Sequence, residues 1–479
     1  MNKMDQAPLY EALLSWKDQN PLSFHVPGHK NGTSFSTYKR ADDLYKDLLK
    51  IDATELSGLD DLHHADGPIK KAEQLTAHLY GSVESRFLVG GSTAGNLAMI
   101  MALCSEGDRV LVQKNCHKSV LNGLRLAKAR PIFLSPSIDQ ASQVPTGVTL
   151  DLIRRALNQY KDIKVIVLTN PNYYGMTVNL EPIISYAHQN GIPVLVDEAH
   201  GAHFVKGEFF PESALKQGAD VVVQSAHKTL PAMTMGSYLH VGNETYRDAI
   251  NDYLQLFQSS SPSYPIMASL DLARHYLFSL TDDQLGLILE EVHQFKRLLS
   301  EVPGISVIGD VGQAYHQLDP LKITVQLSGM SGYELAKKLE NENVFVELSD
   351  PLNVLLVCPI ASNKEVFERG LQAFKKIASL RDEANFNVSL LKIADEDITF
   401  PAYSFAKLET MMKEKVKINE AKGLIAAKAV IPYPPGVPIV IPGERIGLEK
   451  MNHLNMILRS GGHIQGLDTD MIEIAREEE

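Results

Sequence analysis

The stretch VVVQSAHKTLPAMTMGS (residues 221–237) opens as a buried strand and, within a few residues, carries a histidine and a lysine out of it. Three successive valines leave no polar face, as expected of a strand covered on both sides of a sheet. The small and polar residues that follow end the strand, so Lys228 falls at the rim of a core layer. A cation placed there costs desolvation unless the site uses it.

Short apolar runs of the same kind recur upstream: RFLV (86–89), RVLVQ (109–113), PIFL (131–134), KVIVLTN (164–170) and PVLVDE (193–198). Helical stretches separate them, among them TAGNLAMIMALC (93–104) behind a capping Ser92, and LEPIISYAHQNG (180–191), which ends on glycine. Strands alternating with helices predict an α/β fold with a mostly parallel sheet. Beyond Tyr253 the pattern turns helical. KITVQLS (322–328), VFVELS (344–349) and NVLLVC (353–358) then read as strands around a helical SGYELAKKLE (331–340), which predicts a small α+β domain. After Arg381 the charge density rises, and VIPYPPGVPIVIPGERI (430–446) carries too many prolines for a helix or a central strand. The expected organisation is an N-terminal segment 1–20, a major domain 21–255, a small domain 256–385 and a C-terminal domain 386–479.

A chain of 479 residues, 44% hydrophobic, is long enough for two or three domains with buried cores. Its formal charge of -12 leaves no broad basic surface, so nucleic acid is not an expected partner. Cys104, Cys116 and Cys358 are few, scattered and odd in number, which suits core thiols in a reducing cytosol. The N-terminal MNKMDQAPLYEALLSW lacks the apolar run of a signal peptide, and no segment offers the roughly 18 uncharged apolar residues of a membrane span. A soluble, cytoplasmic protein is the expectation.

Ligands of open α/β sheets bind at the carboxyl ends of the strands, and four such ends carry chemistry here. FLVGGSTAGN (87–96) brings a strand onto glycines, then Ser92 and Thr93, at a helix start where backbone N–H groups and hydroxyls suit a phosphate. An ordinary glycine turn with a capped helix would look the same. RVLVQKNCHKSV (109–120) delivers His117 just past a strand. VLVDEAHGAH (194–203) delivers Asp197 from a strictly apolar run, where a carboxylate needs a cationic or hydrogen-bonding partner. The fourth end holds Lys228, whose amine, partly desolvated, becomes a nucleophile towards an aldehyde. An anion cradle, a flat ring, a carboxylate and an amine together match pyridoxal phosphate: phosphate in the cradle, Asp197 on the protonated ring nitrogen, His117 against the ring face, Lys228 on the aldehyde.

GGSTAGN (90–96), KNCHKS (114–119), TNPNYYG (169–175), VDEAHGAH (196–203) and QSAHKTLPA (224–232) stand in the order found in the Orn/Lys/Arg decarboxylase family of fold type I, aspartate-aminotransferase-like PLP enzymes, which the chain resembles. FHVPGHKNG (24–32), GLDDLHHADG (58–67), SSSPSYPIMASLD (259–271) and YPPGVPIVIPGE (433–444) are also similar to that family's motifs, so the resemblance covers nearly the whole chain. It is closest to the short bacterial type without an N-terminal wing domain. The resemblance implies that Lys228, His117, Asp197 and His227 are catalytic, and that Ser92, Thr93, Ala94, Ala199, Ser225 and His227 join them around the cofactor. It also implies a homodimer with shared sites, with SSSPSYPIMASLD near the opposite subunit's site, and a setting in amino-acid or polyamine metabolism. Pro231 and Thr234–Met235 depart from the longer enzymes, in which a Ser/Thr-Gln pair follows the lysine, so no particular substrate is carried across.

The implied reaction is decarboxylation of a basic amino acid, arginine or lysine before ornithine. The Cα–carboxylate bond must stand perpendicular to the cofactor ring, and Lys228 or His227 must return a proton. Asp60, Asp61, His200 and Glu444 are the candidate substrate contacts, each also readable as a surface or capping group. The other histidines, His25, His29, His63, His64 and His203, lie on separate loops without metal-ligand spacing, so no metal is expected. Three rival readings exist. Transamination would use the same lysine and aspartate. A PLP-binding regulator would need a DNA-binding appendage that the sequence does not offer. A helicase suggested by VDEAH would need a phosphate loop, but Asn96 and Leu97 occupy the positions of its Lys and Ser/Thr.

Overall fold

The computed structural model describes residues 3–35, 38–309, 314–380, 397–433 and 436–477. The chain divides into two compact units, the first formed by Met1–Leu103, Leu195–Gly207 and Glu212–Thr281, the second by Cys104–Val194, Glu208–Pro211 and Asp282–Glu479. The domain boundary expected at 385/386 lies outside the described residues, as do Pro434 and Pro435 of the YPPG motif. Seven strands carry the central layers: β1 (Glu84–Leu88), β2 (Arg109–Gln113), β3 (Arg130–Leu134), β4 (Ile163–Thr169), β5 (Val194–Asp197), β6 (Val221–Gln224) and β7 (Ser237–Val241). The first six lie close to their apolar runs in the sequence; β7 is a strand that the sequence reading did not pick out.

In the first unit β5 and β6 run parallel, with Leu195 opposite Val221 and Asp197 opposite Val223. Every residue of both strands is buried, which is why neither shows an alternating pattern. β7 then pairs antiparallel with β6, and β1 antiparallel with β7. The 225–236 connection that makes this departure from a parallel sheet holds only one helical turn, Ala226–Thr229, in place of the long helix that usually crosses over between parallel strands. The helix after β1 runs Gly91–Leu103, so Ser92 sits in its first turn instead of capping it from outside. Gly95 lets that helix lie directly on the sheet: a Cβ there would fall 2.8 Å from Leu88 and 2.9 Å from Val223.

The helix Pro8–Asp18 buries Leu9, Leu13 and Trp16 along one face. It lacks a capping side chain of its own. Asp271, from the helix Tyr264–Ser279, accepts from Leu9 N at 2.9 Å and pairs with Arg274 at 2.7 Å, and Arg274 in turn donates to Met4 O at 2.8 Å. Both charged side chains are fully buried. Removing either alone would cost on the order of 3–5 kcal/mol, because it strands the other.

In the second unit β2 lies between β3 and β4 and is parallel to both, while Ile398–Thr399 adds antiparallel to β3. A separate antiparallel sheet joins Leu348–Ser349, Val354–Val357, Lys322–Leu327 and Ile305–Val307, and Ser331 caps the helix Gly332–Asn341 through Glu334 N. VFVELS contributes to it only Leu348–Ser349; the chain leaves the helix through Asn343 at φ +57, and Phe345 is 78% exposed. The C-terminal part packs Val430, Val440, Ile446, Leu454 and Ile472 into a core of its own. As the prolines require, the described residues of 430–446 form no helix; they hold the short strand Ile431–Pro432 and take part in bridges Val430–Val440 and Ile425–Arg445, with turns at Gly436 and Gly443. Among the described residues no helix is long and apolar enough to cross a membrane.

Candidate active site

Lys228 stands on the one-turn helix that ends β6, its backbone N–H bonded to Ser225 O at 3.1 Å. Its Nζ lies 3.1 Å from His200 Nε2. The ammonium donates, so His200 accepts through Nε2 and carries its own proton on Nδ1 when neutral. Ser225 Oγ is 2.9 Å from Ser92 Oγ in the first turn of Gly91–Leu103, which joins two hydroxyls at a helix N-terminus. Ala94 is buried one position beyond exposed Thr93. The turn after Lys228 is held where the sequence departs from the longer family members: Met235 adopts φ +77, and its carbonyl accepts from Gly91 N at 2.9 Å. Such a backbone costs on the order of 1–3 kcal/mol and persists only when its surroundings enforce it. His227 is tied to the same turn, its Nδ1 2.9 Å from Gly236 O.

Asp197, at the end of β5, is 2% exposed. Asn96 Nδ2 donates to its Oδ2 at 2.8 Å and Ala199 N to its Oδ1 at 3.2 Å. Burial pushes the carboxyl pKa up; the Lys228 charge, the Asn96 amide and the Ala199 N–H oppose this and leave it above the usual carboxylate range. Asn96 is a site residue that the sequence reading passed over, although it closes the GGSTAGN motif. Asn96→Ala removes one of the groups that favour the ionised form. The acid limb of the kcat/KM profile is therefore expected to move to higher pH, and an unmoved limb would remove Asn96 from this role.

The adjacent Glu198 is fully buried, and burial pushes its pKa up to about 8 against donation from Gln224 and Ala214 N–H. Gln224 Nε2 donates to it at 2.6 Å, His240 Nε2 donates to Gln224 Oε1 at 3.0 Å, and Ser85 Oγ reaches His240 Nδ1 at 2.7 Å, a polar thread through the first unit. Burial holds His240 neutral, with its pKa down to about 3. The raised Glu198 pKa means that the folded chain binds a proton the unfolded chain has released. Stability from this group therefore falls as pH rises from 4.5 towards about 8. Glu198→Gln is expected to flatten that fall in melting temperature. Glu73, pushed up to about 7 by burial, remains in the variant, so the difference between the two slopes isolates Glu198.

Asp60 accepts from Asp61 N, Asp66 N, Gly67 N, Ile69 N and Lys70 N, all between 2.8 and 3.2 Å. Burial raises its pKa, but these donors outweigh it and hold the carboxyl below its ordinary value. Asp61 caps the next turn through His63 N. The capping reading of both carboxylates is the one their geometry supports. This loop meets the SSSPSYP segment, with Tyr264 Oη donating to Asp60 O at 2.5 Å and His63 Nε2 lying 2.8 Å from Ser259 O.

In the second unit His117 precedes the helix Lys118–Leu126 and caps it, Nδ1 accepting from Ser119 N at 3.2 Å. Gly436, at φ +88, packs against its ring: a Cβ there would lie 3.3 Å from His117 Cδ2. Glu444 is engaged by two lysines, Lys114 at 3.0 Å and Lys450, which the sequence reading did not foresee. Burial pushes its carboxyl pKa up, but the two ammoniums outweigh this and hold it below the usual range. The structure thus joins Lys228, His200, Asp197, Ala199, Ser225 and Ser92 in the first unit, and places His117 and Glu444 in the second. Among the described residues no group of three or more His, Cys, Asp or Glu side chains is arranged to hold a metal ion.

Residues 7–312 match the model of the Orn/Lys/Arg decarboxylase major domain, and residues 389–479 that of its C-terminal domain. The chain is 47% identical over 464 residues to the uncharacterized protein YaaO of Bacillus subtilis (strain 168), covering 96% of each. It is 32% identical over 478 residues to the arginine decarboxylase of the same organism, covering 98% of this chain and 97% of that one. The fold is that of the Francisella novicida lysine decarboxylase LdcF, with a TM-score of 0.82 at 22% identity over 98% of this chain and 81% of that one.

Proposed function

The chain belongs to the Orn/Lys/Arg decarboxylase family, and from that premise we propose that it releases the α-carboxylate of a basic amino acid as carbon dioxide, with pyridoxal 5'-phosphate as cofactor. The observation that carries the reading lies in the first unit, where the amine of Lys228 is held at 3.1 Å by His200 and shares its surroundings with the fully buried Asp197. The donor set fits the cofactor: paired Ser92 and Ser225 hydroxyls at a helix start for its phosphate, a buried carboxylate for its ring nitrogen and an amine for its aldehyde. When bound, the cofactor supplies the electron sink for the bond broken at Cα.

The chain's own residues supply binding and protons. Thr93 and Ala94 extend the first helical turn beside Ser92, and Ala199 N–H holds Asp197 in place. With the cofactor bound, Asp197 would supply the carboxylate for its ring nitrogen, and the resemblance assigns the ring face to His117. Lys228, with His200 as its hydrogen-bond acceptor, gives and takes the proton at Cα, and His227 is the second candidate. Arginine is the first choice of substrate, since relatives at 30–32% identity are named arginine decarboxylases; lysine follows, then ornithine.

We place the working enzyme in the cytoplasm as a homodimer. Cys104, Cys116 and Cys358 are buried and none is in a disulfide, and Leu22 and Phe24 of the first unit are 86% and 94% exposed, an apolar surface that a second copy would cover. Sedimentation showing an active monomer would remove the dimer. The function is tested by incubating the PLP-loaded protein separately with arginine, lysine and ornithine, measuring carbon dioxide and identifying the product. An amine with carbon dioxide supports decarboxylation, whereas a keto acid would make the protein an aminotransferase.

A further inference from the structure

The second unit contains a cavity of about 570 Å³, a volume in the range that holds small organic molecules. Much of its wall is apolar, including Val144, Tyr173, Tyr333, Phe400, Val437 and Ile457. At one end Lys114 and Lys450 converge on a single oxygen, Oε1 of Glu444. The three side chains are 14%, 21% and 15% exposed. The second oxygen of Glu444 accepts from Ile441 N at 3.2 Å, and Lys114 also reaches Thr399 Oγ1 at 3.3 Å.

Two ammoniums on one carboxylate leave one surplus positive charge in a largely desolvated wall, an arrangement that is costly unless something completes it. The crowding is visible in Lys450, which burial, helped by the charge of Lys114, brings down to about 8 against the pull of Glu444. The other charged groups of the wall are engaged elsewhere. Arg445 is turned to Glu477 and Gly423 O. Asp350 is occupied by the Tyr174 hydroxyl, the N–H groups of Leu352 and Asn353, and Asn353 Nδ2. Glu449 lies in the first turn of the helix Leu448–Arg459, where the N-terminal dipole favours its charge.

We propose that this cavity binds a small organic monocarboxylate, its carboxylate accepting from Lys114 and Lys450 and its apolar body filling the aromatic and aliphatic wall. Glu444 is then part of an anion receptor and not the partner of a cationic substrate side chain. The assignment concerns the second unit alone and does not rest on the cofactor reading.

The test uses the PLP-loaded protein and two probes with one body and opposite charge, 4-phenylbutyrate and 4-phenylbutylammonium, with dissociation constants measured by ligand-observed NMR. The carboxylate is expected to bind at least about tenfold more tightly than the ammonium, a difference near 1.4 kcal/mol. Lys114→Met and Lys450→Met should each weaken the carboxylate about tenfold without weakening the ammonium, while Lys450→Arg retains binding. Glu444→Gln should strengthen carboxylate binding, an effect in the opposite direction that general damage to the fold would not produce. Equal binding of the two probes, preference for the ammonium, or indifference to both Lys450→Met and Glu444→Gln would overturn the proposal. Because no turnover is read, failure here is distinguishable from failure of the decarboxylase reading.

Discussion

Replacing Lys228 with alanine is expected to abolish carbon dioxide release and the covalent attachment of pyridoxal phosphate together. The proton transfer assigned to this amine is itself worth roughly 10²–10⁴-fold in rate, and the loss of the covalent anchor adds to it. Two other lysines of the first unit are engaged elsewhere: Lys70 pairs with Glu84, and Lys206 donates to Leu280 O at 2.7 Å. Borohydride reduction of the loaded wild type, followed by peptide mapping, should return the label on the peptide containing Lys228 and nowhere else in the chain. The variant should return none. Lys228→Arg keeps a cation beside His200 without a nucleophilic amine, so it should fold, retain the charge and remain inactive. An adduct recovered at a different lysine, or a Lys228→Ala protein that still turns over, would end the assignment.

Much of this site can be read from the sequence because its groups sit where strands stop. The runs Val194–Val196 and Val221–Val223 are apolar throughout, so the polar residues that follow them, Asp197 and then Gln224 and Ser225, are marked as rim residues without knowledge of strand order. The antiparallel turn from β6 to β7 was legible only in principle, through the lack of a long helical pattern in the 225–236 connection, and the alternation of strands and helices obscured it. Partnerships across long sequence separations left no such mark. Asn96 reaches Asp197 from a helix that reads simply as buried, and His200 meets Lys228 because β5 and β6 are neighbours in register. Glu444 shows the same limit in its sharpest form. A lone carboxylate suggests a site for a cation, and only the fold reveals that Lys114 and Lys450 have taken it. VFVELS failed as a full strand for a local reason, since a helix exit through a left-handed Asn343 consumed its first half.

Asp197→Asn is expected to lower kcat on the order of 10²–10³-fold, the scale seen when one preorganised electrostatic group is removed from a reacting centre, while the fold gains or keeps its stability. The two effects have one cause. Burial disfavours the ionised carboxyl and raises its pKa, so above that raised pKa the folded chain carries a charge it would be more stable without. An amide of the same shape removes that charge, and with it the part of the stability that declines as pH rises. It also offers one oxygen to two donors, Asn96 Nδ2 and Ala199 N–H, so one hydrogen bond is lost and the gain in stability stays small. The measurements are kcat at saturating substrate and the melting temperature of the cofactor-free protein at neutral and alkaline pH. A large fall in rate with an unchanged or higher melting temperature identifies Asp197 as a carboxylate kept for chemistry at the expense of the fold. A variant that melts well below the wild type at alkaline pH, or that turns over within a few-fold of it, would show that Asp197 serves the structure instead.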